Sequence, residues 1–309
     1  MSTEGRWTLS TNDTTQIKAA SSKLNRARRF SPTAGRLAPS LGGTDSPFNR
    51  GIVPGRWGPP SSGLRTMAPR SPEIPVATRI LLVRHGLSSF NLEGRIQGRE
   101  NDSELSAAGE IQARQLGEAL RELPLSAAWC SPLQRAQRTA ELLLQSQGCD
   151  LTLTPSEGLL EIDLSPWAGL RRSELSQQFP QEERLWRESP AEFQLSRADG
   201  STYYPVRELH AQAQGFWRDL QLLHPPDQDH NVLVVAHNGI LRCLLLAALG
   251  LPVSDFNRYA INNCSLSVLN LRPGGQLQIE SLNTTSHLGE PLPSRRKGPR
   301  LLLVRHGET

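Results

Sequence analysis

Apolar runs of strand length recur along the chain, and each one predicts a buried β-strand. The two strongest are Ile80–Val83 and Val232–Ala236, with a further run at Leu125–Trp129 and a weaker one ahead of Leu159. Because the two strong runs contain no polar residue, they are typical of strands covered on both faces, as in a parallel sheet.

Between these strands, the apolar spacing and the capping residues predict helices. The predicted helices are Ser106 to about Leu120 with Ile111, Leu116 and Leu120 apolar, Leu133–Leu144 opened by Pro132, Val206–Leu223 ended by His224-Pro-Pro, and Ile240–Leu249 capped by Gly250. Leu87–Glu104 is predicted to be a loop, Trp167–Pro205 to be irregular and amphipathic, and Cys264–Leu271 with Gln276–Ser281 to form a closing hairpin. Strands that alternate with helices predict an α/β fold, a three-layer α/β/α sandwich with a mostly parallel central sheet.

A polar triplet, Arg84, His85 and Gly86, follows the first predicted strand directly. In open α/β sheets ligands bind outside the carboxyl ends of the strands, so these side chains are expected at a ligand site. A guanidinium suits phosphate oxygens, an imidazole can attack phosphorus or carry a proton, and a glycine lets the backbone approach an anion. The triplet indicates phosphate-transfer chemistry; an ordinary strand end with a surface arginine is the alternative.

Three later stretches strengthen this interpretation because each follows a predicted strand. They are Cys130–Ala140, Leu159–Gly169 and Val232–Gly239, the last ending in His-Asn-Gly. Together with Arg79–Gly86 they resemble the signatures of the histidine phosphatase superfamily, the phosphoglycerate-mutase-like enzymes, in chain order. The resemblance covers roughly Thr78 to Arg272 and implies the phosphoglycerate mutase-like fold.

The resemblance also implies roles for individual residues. His85 would be the nucleophile that forms a phosphohistidine, and His237 a donor to the same phosphoryl group. Arg84 and Arg135 would grip the phosphoryl oxygens, with Arg138 as the rival of Arg135, and Asn91 would donate its amide. Glu161 would be the general acid, with Asp163 as the competing carboxylate. The arginines and histidines supply the positive charge that this chemistry needs, so no metal and no cofactor are expected.

Two features favour the phosphatase branch over a cofactor-dependent mutase. The segments Arg95–Arg99, Leu105-Ser and Glu161–Leu164 resemble phosphatases, including carboxyarabinitol-1-phosphate and ribazole phosphatases. Residues 77–290 contain no lysine, although glycolytic mutases tend to use lysines around their bisphosphate. The expected function is hydrolysis of a small phosphomonoester of the sugar phosphate type; a phosphoglycerate mutase and an inactive binding module remain the alternatives.

The sequence allows two interpretations for several residues near the expected substrate site. Arg171 and Arg172 either meet a second acidic group of the substrate or begin a solvated helix. Trp167, Trp186 and Phe193 either wall the substrate entrance or cover the core.

Charge and cysteine content limit the partners and the compartment. The formal charge of +4 is uneven, because residues 1–76 hold 11 Lys and Arg against 4 Asp and Glu, and the rest hold 23 against 26. The body is thus slightly acidic, and we expect no nucleic-acid partner. Four cysteines without a C-x-x-C pair favour a reducing compartment, the cytoplasm, and the lack of an apolar run of about 18 residues argues against a membrane span. A homodimer is left open.

Residues 1–76 are expected to be disordered, because they are rich in Ser, Pro, Gly and Arg and show no apolar periodicity. The segment could be a translation artefact with the true start near Met67 or later, a basic tail, or a transit sequence, which would place the protein in a plastid.

The remaining domain boundaries follow from an internal repeat. A histidine phosphatase domain is expected over 77–290 and a linker over 291–299. Arg300–Gly307 then repeats Arg79–Gly86 at seven of eight positions. Residues 300–309 are therefore expected to be the first strand of a second, truncated domain of the same kind.

Overall fold

The computed structural model describes residues 77–289 and 301–304. Eight strands are found there: β1 Thr78–Arg84, β2 Ala127–Cys130, β3 Leu153–Pro155, β4 Leu195–Ser196, β5 Thr202–Tyr203, β6 Asn231–Ala236, β7 Leu266–Leu271 and β8 Leu277–Thr284. Six of them form one sheet in the order β3-β2-β6-β1-β7-β8, and β4 pairs with β5 in a separate hairpin. Because the pairings among β3, β2, β6 and β1 are parallel and only the two pairings of β7, with β1 and with β8, are antiparallel, the mixed α/β fold with a mostly parallel sheet is confirmed.

The helices lie on both faces of this sheet. They are α1 Ser89–Glu93, α2 Ala107–Ala119, α3 Gln134–Gln147, α4 Arg172–Gln178, α5 Pro180–Glu188, α6 Pro205–Leu223 and α7 Asn238–Leu249. Side chains of β1 alternate between two apolar clusters: Ile80 and Leu82 pack with α6 and α7, whereas Leu81 and Val83 pack with α2 and α3. This period of two places one apolar layer on each side of the central strand and produces the three-layer sandwich.

The predicted caps are mostly confirmed. The Ser106 hydroxyl accepts a hydrogen bond from the Gly109 N–H at 3.1 Å, and Gly250 closes α7 in the left-handed region, at a φ of 64°. Pro132 does not open α3, because Leu133 is the N-cap and the proline precedes it. Ile111 is not on the apolar face of α2 and is 57% exposed. It lies five positions before Leu116, about 1.4 helical turns, so its side chain points away from the buried face.

Two segments predicted to be irregular contain regular structure. Within Leu87–Glu104, the Ser88 hydroxyl caps the short helix α1, and Gly94 ends it at a φ of 68°. Between Trp167 and Pro205 the chain forms α4, α5 and the β4–β5 hairpin. The prediction was therefore wrong for Trp167–Pro205 and missed only α1 within Leu87–Glu104. Short helices have too few apolar positions to show a period and are fixed by caps instead.

The predicted disordered segment 1–76 and the linker 291–299 lie outside the described residues. Of the predicted first strand of a second domain, residues 301–304 are described; they are exposed and form no strand. Within the part of the chain that the structure describes, no helix combines the length and apolar character needed to cross a bilayer. The same residues hold no group of three or more His, Cys, Asp or Glu side chains suited to a metal ion.

Candidate active site

The sheet order brings three strand ends together. β6 lies between β1 and β2, so the residues that follow these strands, His85, Ser131 and His237, meet at one edge. The His85 N–H donates to the Ala236 carbonyl at 2.9 Å, and the Ser131 N–H donates to the Val235 carbonyl at 3.0 Å. These backbone bonds place the rings of His85 and His237 with their centroids 5.2 Å apart.

His85 is buried, and one hydrogen bond decides which ring nitrogen carries its proton. Nδ1 lies 2.8 Å from the Gly86 carbonyl oxygen, which can only accept, so Nδ1 is the donor. Nε2 therefore keeps its lone pair. Burial lowers the pKa of His85 well below its usual value, and the nearby charges of Arg84 and Arg135 lower it further. The ring is accordingly a neutral imidazole at physiological pH, the form that can act as a nucleophile.

His237 is buried beside it and bonds to Ser131. Its Nε2 lies 2.7 Å from the Ser131 hydroxyl, and its buried Nδ1 has no partner among the described residues. Burial lowers its pKa well below the usual value, and the positive charges of Arg135 and Arg84 lower it further. A buried nitrogen without a partner is costly, so a ligand that meets it would be favoured.

Backbone carbonyls hold both arginines in place. Arg84 Nη1 donates to the Ile261 carbonyl at 2.8 Å, and the two terminal nitrogens of Arg135 donate to the carbonyls of Glu100 at 2.6 Å and Gly98 at 2.9 Å. The Nε of each guanidinium is buried without a partner in the described residues.

Burial lowers the pKa of each arginine to about 10, and the charges of Arg242, Arg172 and Arg135 contribute to the shift of Arg84. Both side chains are still positive at neutral pH. Two incompletely satisfied cations in one pocket form a site for an anion.

Asn91 presents one end of its amide to the same pocket. Its Oδ1 accepts from the Ser88 hydroxyl at 3.0 Å and from Asn263 Nδ2 at 2.9 Å. Because the oxygen end receives these bonds, the NH2 end is the one that can donate to a ligand.

The two competing carboxylates are separated by the structure. Glu161 lines the pocket and accepts three backbone N–H bonds, from Ile162 at 2.9 Å and from Gly239 and Ile240, at the start of α7, at 3.0 and 3.1 Å. Asp163 is absent from the lining of this pocket, and its carboxylate accepts from the Ser165 N–H at 3.1 Å. Of the two carboxylates, Glu161 is therefore the one that lies in the pocket.

The pocket has an inner and an outer part. The inner cavity, about 110 Å³, contains Arg84, His85, Asn91, Arg135 and Glu161 in its lining. The outer cavity, about 460 Å³, shares Ile96, Leu164, Arg172, Trp186, Asn238 and Arg242 with it.

The structure shows which of the residues with two possible roles line a cavity and which lie in the core or at the surface. Arg172 is the first residue of α4 and also lines both cavities, whereas Arg171 is the N-cap and lines neither. Trp186 lines both cavities, Phe193 is fully buried in the core, and the buried Trp167 contributes to the outer cavity. The rival of Arg135, Arg138, is exposed and pairs with Glu110 at 3.2 Å.

Several residues around the pocket were missed by sequence reasoning. They are Ser131, Thr139, Asn238, Arg242 and Asn263. Ser131 and Asn238 adjoin predicted strand ends, which was a usable signal. Thr139 lies within the stretch Cys130–Ala140 but was given no role there. Arg242 and Asn263 lie in a helix and a distant loop and carry no local pattern.

A small cavity with two buried arginines and a neutral imidazole, at the carboxyl ends of parallel strands, defines an α/β domain suited to a phosphoryl group. Residues 80–285 match the histidine phosphatase superfamily (branch 1), and the chain belongs to this family.

Named relatives and a solved structure agree with this assignment. A 2-carboxy-D-arabinitol-1-phosphatase from Triticum aestivum is 35% identical over 249 residues, which cover 78% of this chain and 48% of that protein. The chain thus spans about half the length of this relative. Phosphoserine phosphatase 1 from Hydrogenobacter thermophilus is 32% identical, over 69% of this chain and 95% of that protein. A probable phosphoglycerate mutase GpmB from Salmonella arizonae is 34% identical, over 69% and 96%. The structure of Bacillus stearothermophilus YhfR has a TM-score of 0.61 at 26% identity, over 69% of this chain and 100% of that one.

Proposed function

We propose that the protein is a phosphomonoesterase that hydrolyses a small phosphorylated metabolite through a phosphohistidine intermediate. The observation that carries this proposal is the hydrogen bond of 2.8 Å between His85 Nδ1 and the Gly86 carbonyl oxygen, which leaves the Nε2 lone pair for attack. Arg84 and Arg135, whose buried Nε atoms lack partners in the described residues, supply the charge that holds the phosphoryl group.

In the first step Nε2 of His85 attacks phosphorus, the N–P bond forms and the bond to the substrate oxygen breaks. Negative charge on the phosphoryl oxygens meets Arg84, Arg135, His237 and the amide of Asn91. Glu161 gives its proton to the leaving alkoxide. In the second step a water attacks phosphorus, Glu161 takes a proton from this water, and the N–P bond breaks to release phosphate and neutral His85.

Three backbone N–H groups hold the Glu161 carboxyl in the lining of the inner cavity, which supports its proposed role as the proton donor.

The relatives support the substrate class. The wheat relative is named for a sugar-acid phosphate and the H. thermophilus relative for phosphoserine, and both names denote small phosphomonoesters that also carry a carboxylate. We therefore propose a small phosphorylated acid as substrate, with its phosphoryl group in the inner cavity and the remainder in the outer cavity.

The mutase alternative is kept because of the relative named as a probable mutase. A mutase would return the phosphoryl group to a second hydroxyl instead of water. The absence of lysine from residues 77–290 favours hydrolysis. An inactive binding module is disfavoured because all six proposed site residues are present.

The test measures phosphate release from p-nitrophenyl phosphate, O-phosphoserine and 3-phosphoglycerate, with and without 2,3-bisphosphoglycerate. Hydrolysis without bisphosphoglycerate supports a phosphatase, and isomerisation of 3-phosphoglycerate that requires it supports a mutase.

A second experiment tests the nucleophile. His85→Ala should abolish turnover, and wild type quenched without acid should carry phosphate on nitrogen, labile in acid and stable in base. His210→Ala, a change on α6 away from the cavity, is the matched control. Full activity in folded His85→Ala protein would overturn the mechanism.

A further inference from the structure

A loop far along the chain surrounds the turn that carries His85. The loop, residues 261–264, follows the 3-10 helix Val253–Arg258 and precedes β7. It contacts the turn through backbone groups at both ends. The Ile261 carbonyl accepts from the Arg84 guanidinium at 2.8 Å, and the Cys264 N–H lies 3.1 Å from the Arg84 carbonyl and 3.2 Å from that of His85.

The centre of this loop is Asn263, whose side chain reaches three oxygens of the site. Its Nδ2 lies 3.2 Å from the His85 carbonyl, 3.1 Å from the Gly86 carbonyl and 2.9 Å from Asn91 Oδ1. These partners are 172 to 178 positions earlier in the chain. An amide NH2 has only donors to offer here, so it suits a position surrounded by acceptors.

The loop holds Asn263 in this position by its own structure. Cys264 adopts a φ of 52°, in the left-handed region that costs free energy for a residue with a Cβ. His287 Nε2 lies 2.9 Å from the Cys264 carbonyl, and the Asn262 N–H donates to Asn283 Oδ1 at 2.7 Å. A strained residue that neighbouring groups hold in place indicates a position fixed for a purpose.

On the basis of the function proposed above, we propose that Asn263 is a positioning residue for both the nucleophile and the phosphate donor. The Gly86 carbonyl is the acceptor that keeps the proton of His85 on Nδ1, and Asn263 fixes this carbonyl. The same NH2 group binds the oxygen of Asn91 and so turns the NH2 end of Asn91 toward the ligand. One side chain thereby sets the tautomer of His85 and the amide orientation of Asn91.

Two variants of the full chain test this role. Asn263→Asp keeps the shape but replaces the donor with an oxygen, which repels the three acceptors. Asn263→Ala removes the contact. Asn262→Ala is the matched control for changes to the loop itself, because it shortens the neighbouring side chain and keeps the backbone N–H that donates to Asn283 Oδ1.

Nitrogen NMR of histidine-labelled protein provides a readout that a merely structural role would not move. In wild type His85 should be the tautomer with Nδ1 protonated, and both Asn263 variants should gain the Nε2-protonated form or exchange between the two. Because misplacement by about 1 Å can cost roughly a hundredfold, we expect kcat for p-nitrophenyl phosphate to fall tenfold to a hundredfold. Asn262→Ala should keep the wild-type tautomer and rate.

The possible outcomes separate this proposal from the proposed function. A wild-type His85 protonated on Nε2 would overturn the positioning role even if neither variant folds. An unchanged tautomer together with unchanged kcat in folded Asn263→Asp would also overturn it. The second result would leave the proposed function untouched. The first would also count against attack by Nε2, and trapping of the phosphohistidine in wild type then decides the proposed function by itself.

Discussion

Glu161 faces opposite requirements in the two proposed steps, because it must give a proton first and take one later. Replacement by glutamine keeps its shape but removes the transferable proton. General acid catalysis typically contributes about a hundredfold to ten-thousandfold, so Glu161→Gln should slow hydrolysis of an alkyl phosphate by that order. A nitrophenyl phosphate releases a stable phenolate and should lose much less. Steady-state kcat with both substrates checks this.

Asp163→Asn is the control for Glu161. Its carboxylate bonds to Ser165, outside the cavity lining, and the change should leave the ratio between the two substrates unaltered. A selective loss in Asp163→Asn, or an equal loss with both substrates in Glu161→Gln, would show that Glu161 is not the proton donor.

Arg172 and Arg171 are neighbours in sequence with different surroundings, and they make a matched pair. Arg172 lines both cavities, whereas the Arg171 guanidinium contacts the Glu93 carbonyl at 3.5 Å. If the substrate is a phosphorylated acid, Arg172→Gln should lower kcat/KM for O-phosphoserine by about tenfold relative to O-phosphoethanolamine, which lacks the carboxylate; charge-assisted bonds contribute about 1.5–3 kcal/mol. Arg171→Gln should keep the wild-type ratio. An unchanged ratio of the two kcat/KM values in Arg172→Gln would contradict the proposal that Arg172 binds a carboxylate of the substrate.

The extent to which this site could be predicted from sequence differs between its residues. Arg84, His85 and His237 directly follow apolar runs, and strand ends of parallel sheets converge whatever the details of the loops. Asn263 could not be found in this way. Its role depends on oxygens more than 170 positions away, and asparagine is common in loops for local reasons.

At the scale of the elements, the first turn of α2 is in close contact with the residues that follow His85. A Cβ on Gly109 would lie 2.1 Å from the Leu87 carbonyl oxygen, and one on Gly86 would lie 2.5 Å from the Gly109 carbonyl oxygen. The first turn of α2 thus packs backbone against backbone on the residues after His85. Only glycine at both positions permits this approach.

Gly109→Ala should therefore displace the turn and lower both stability and activity. Overpacking typically costs about 1–3 kcal/mol, and kcat should fall further than the loss of folded protein explains. Urea unfolding and kcat measured on the folded fraction check this. Gly215→Ala is the control: Gly215 lies within α6 with open space around its Cβ position, and alanine there should raise stability by about 0.5–1 kcal/mol. Wild-type kcat in Gly109→Ala would contradict the close packing.

The long elements were predicted well and the short ones were not. The helix expected over Val206–Leu223 is observed at Pro205–Leu223, because its length shows several turns of apolar periodicity. Helices α1, α4 and α5 have five, seven and nine residues, and their ends depend on caps and on packing against distant elements. Those contacts exist only in the folded chain.

For the whole molecule, the buried histidines predict how stability changes with pH. The pKa values of His85 and His237 lie well below their ordinary value of 6.5 in the fold. In the unfolded chain they return to about 6.5. Below this pH the unfolded chain binds protons that the folded chain does not, so the free energy of unfolding falls as pH falls, and above it the effect vanishes.

Each of these histidines lowers the free energy of unfolding by up to about 1.4 kcal/mol for each pH unit below 6.5. Between pH 6.5 and 5.5, His237→Asn should lose about 1 kcal/mol less stability than wild type, as measured by urea unfolding. This window lies above the range in which carboxylates titrate. Parallel pH dependences of wild type and variant would show that His237 is not held neutral by the fold.

The position of β1 at the centre of the sheet also determines how long its residues lack their partners in a newly made chain. The groups that orient Arg84 and His85 leave the ribosome 177 and 178 residues after them. At about 5–20 residues per second, β1 is made roughly ten to forty seconds before these groups. Until β6 (Asn231–Ala236), the first of its two partners to be made, follows, β1 is an apolar strand with both edges unpaired, the kind of segment that aggregates or recruits chaperones. A newly made chain therefore carries its central strand unpaired for most of the time that the domain is being synthesised.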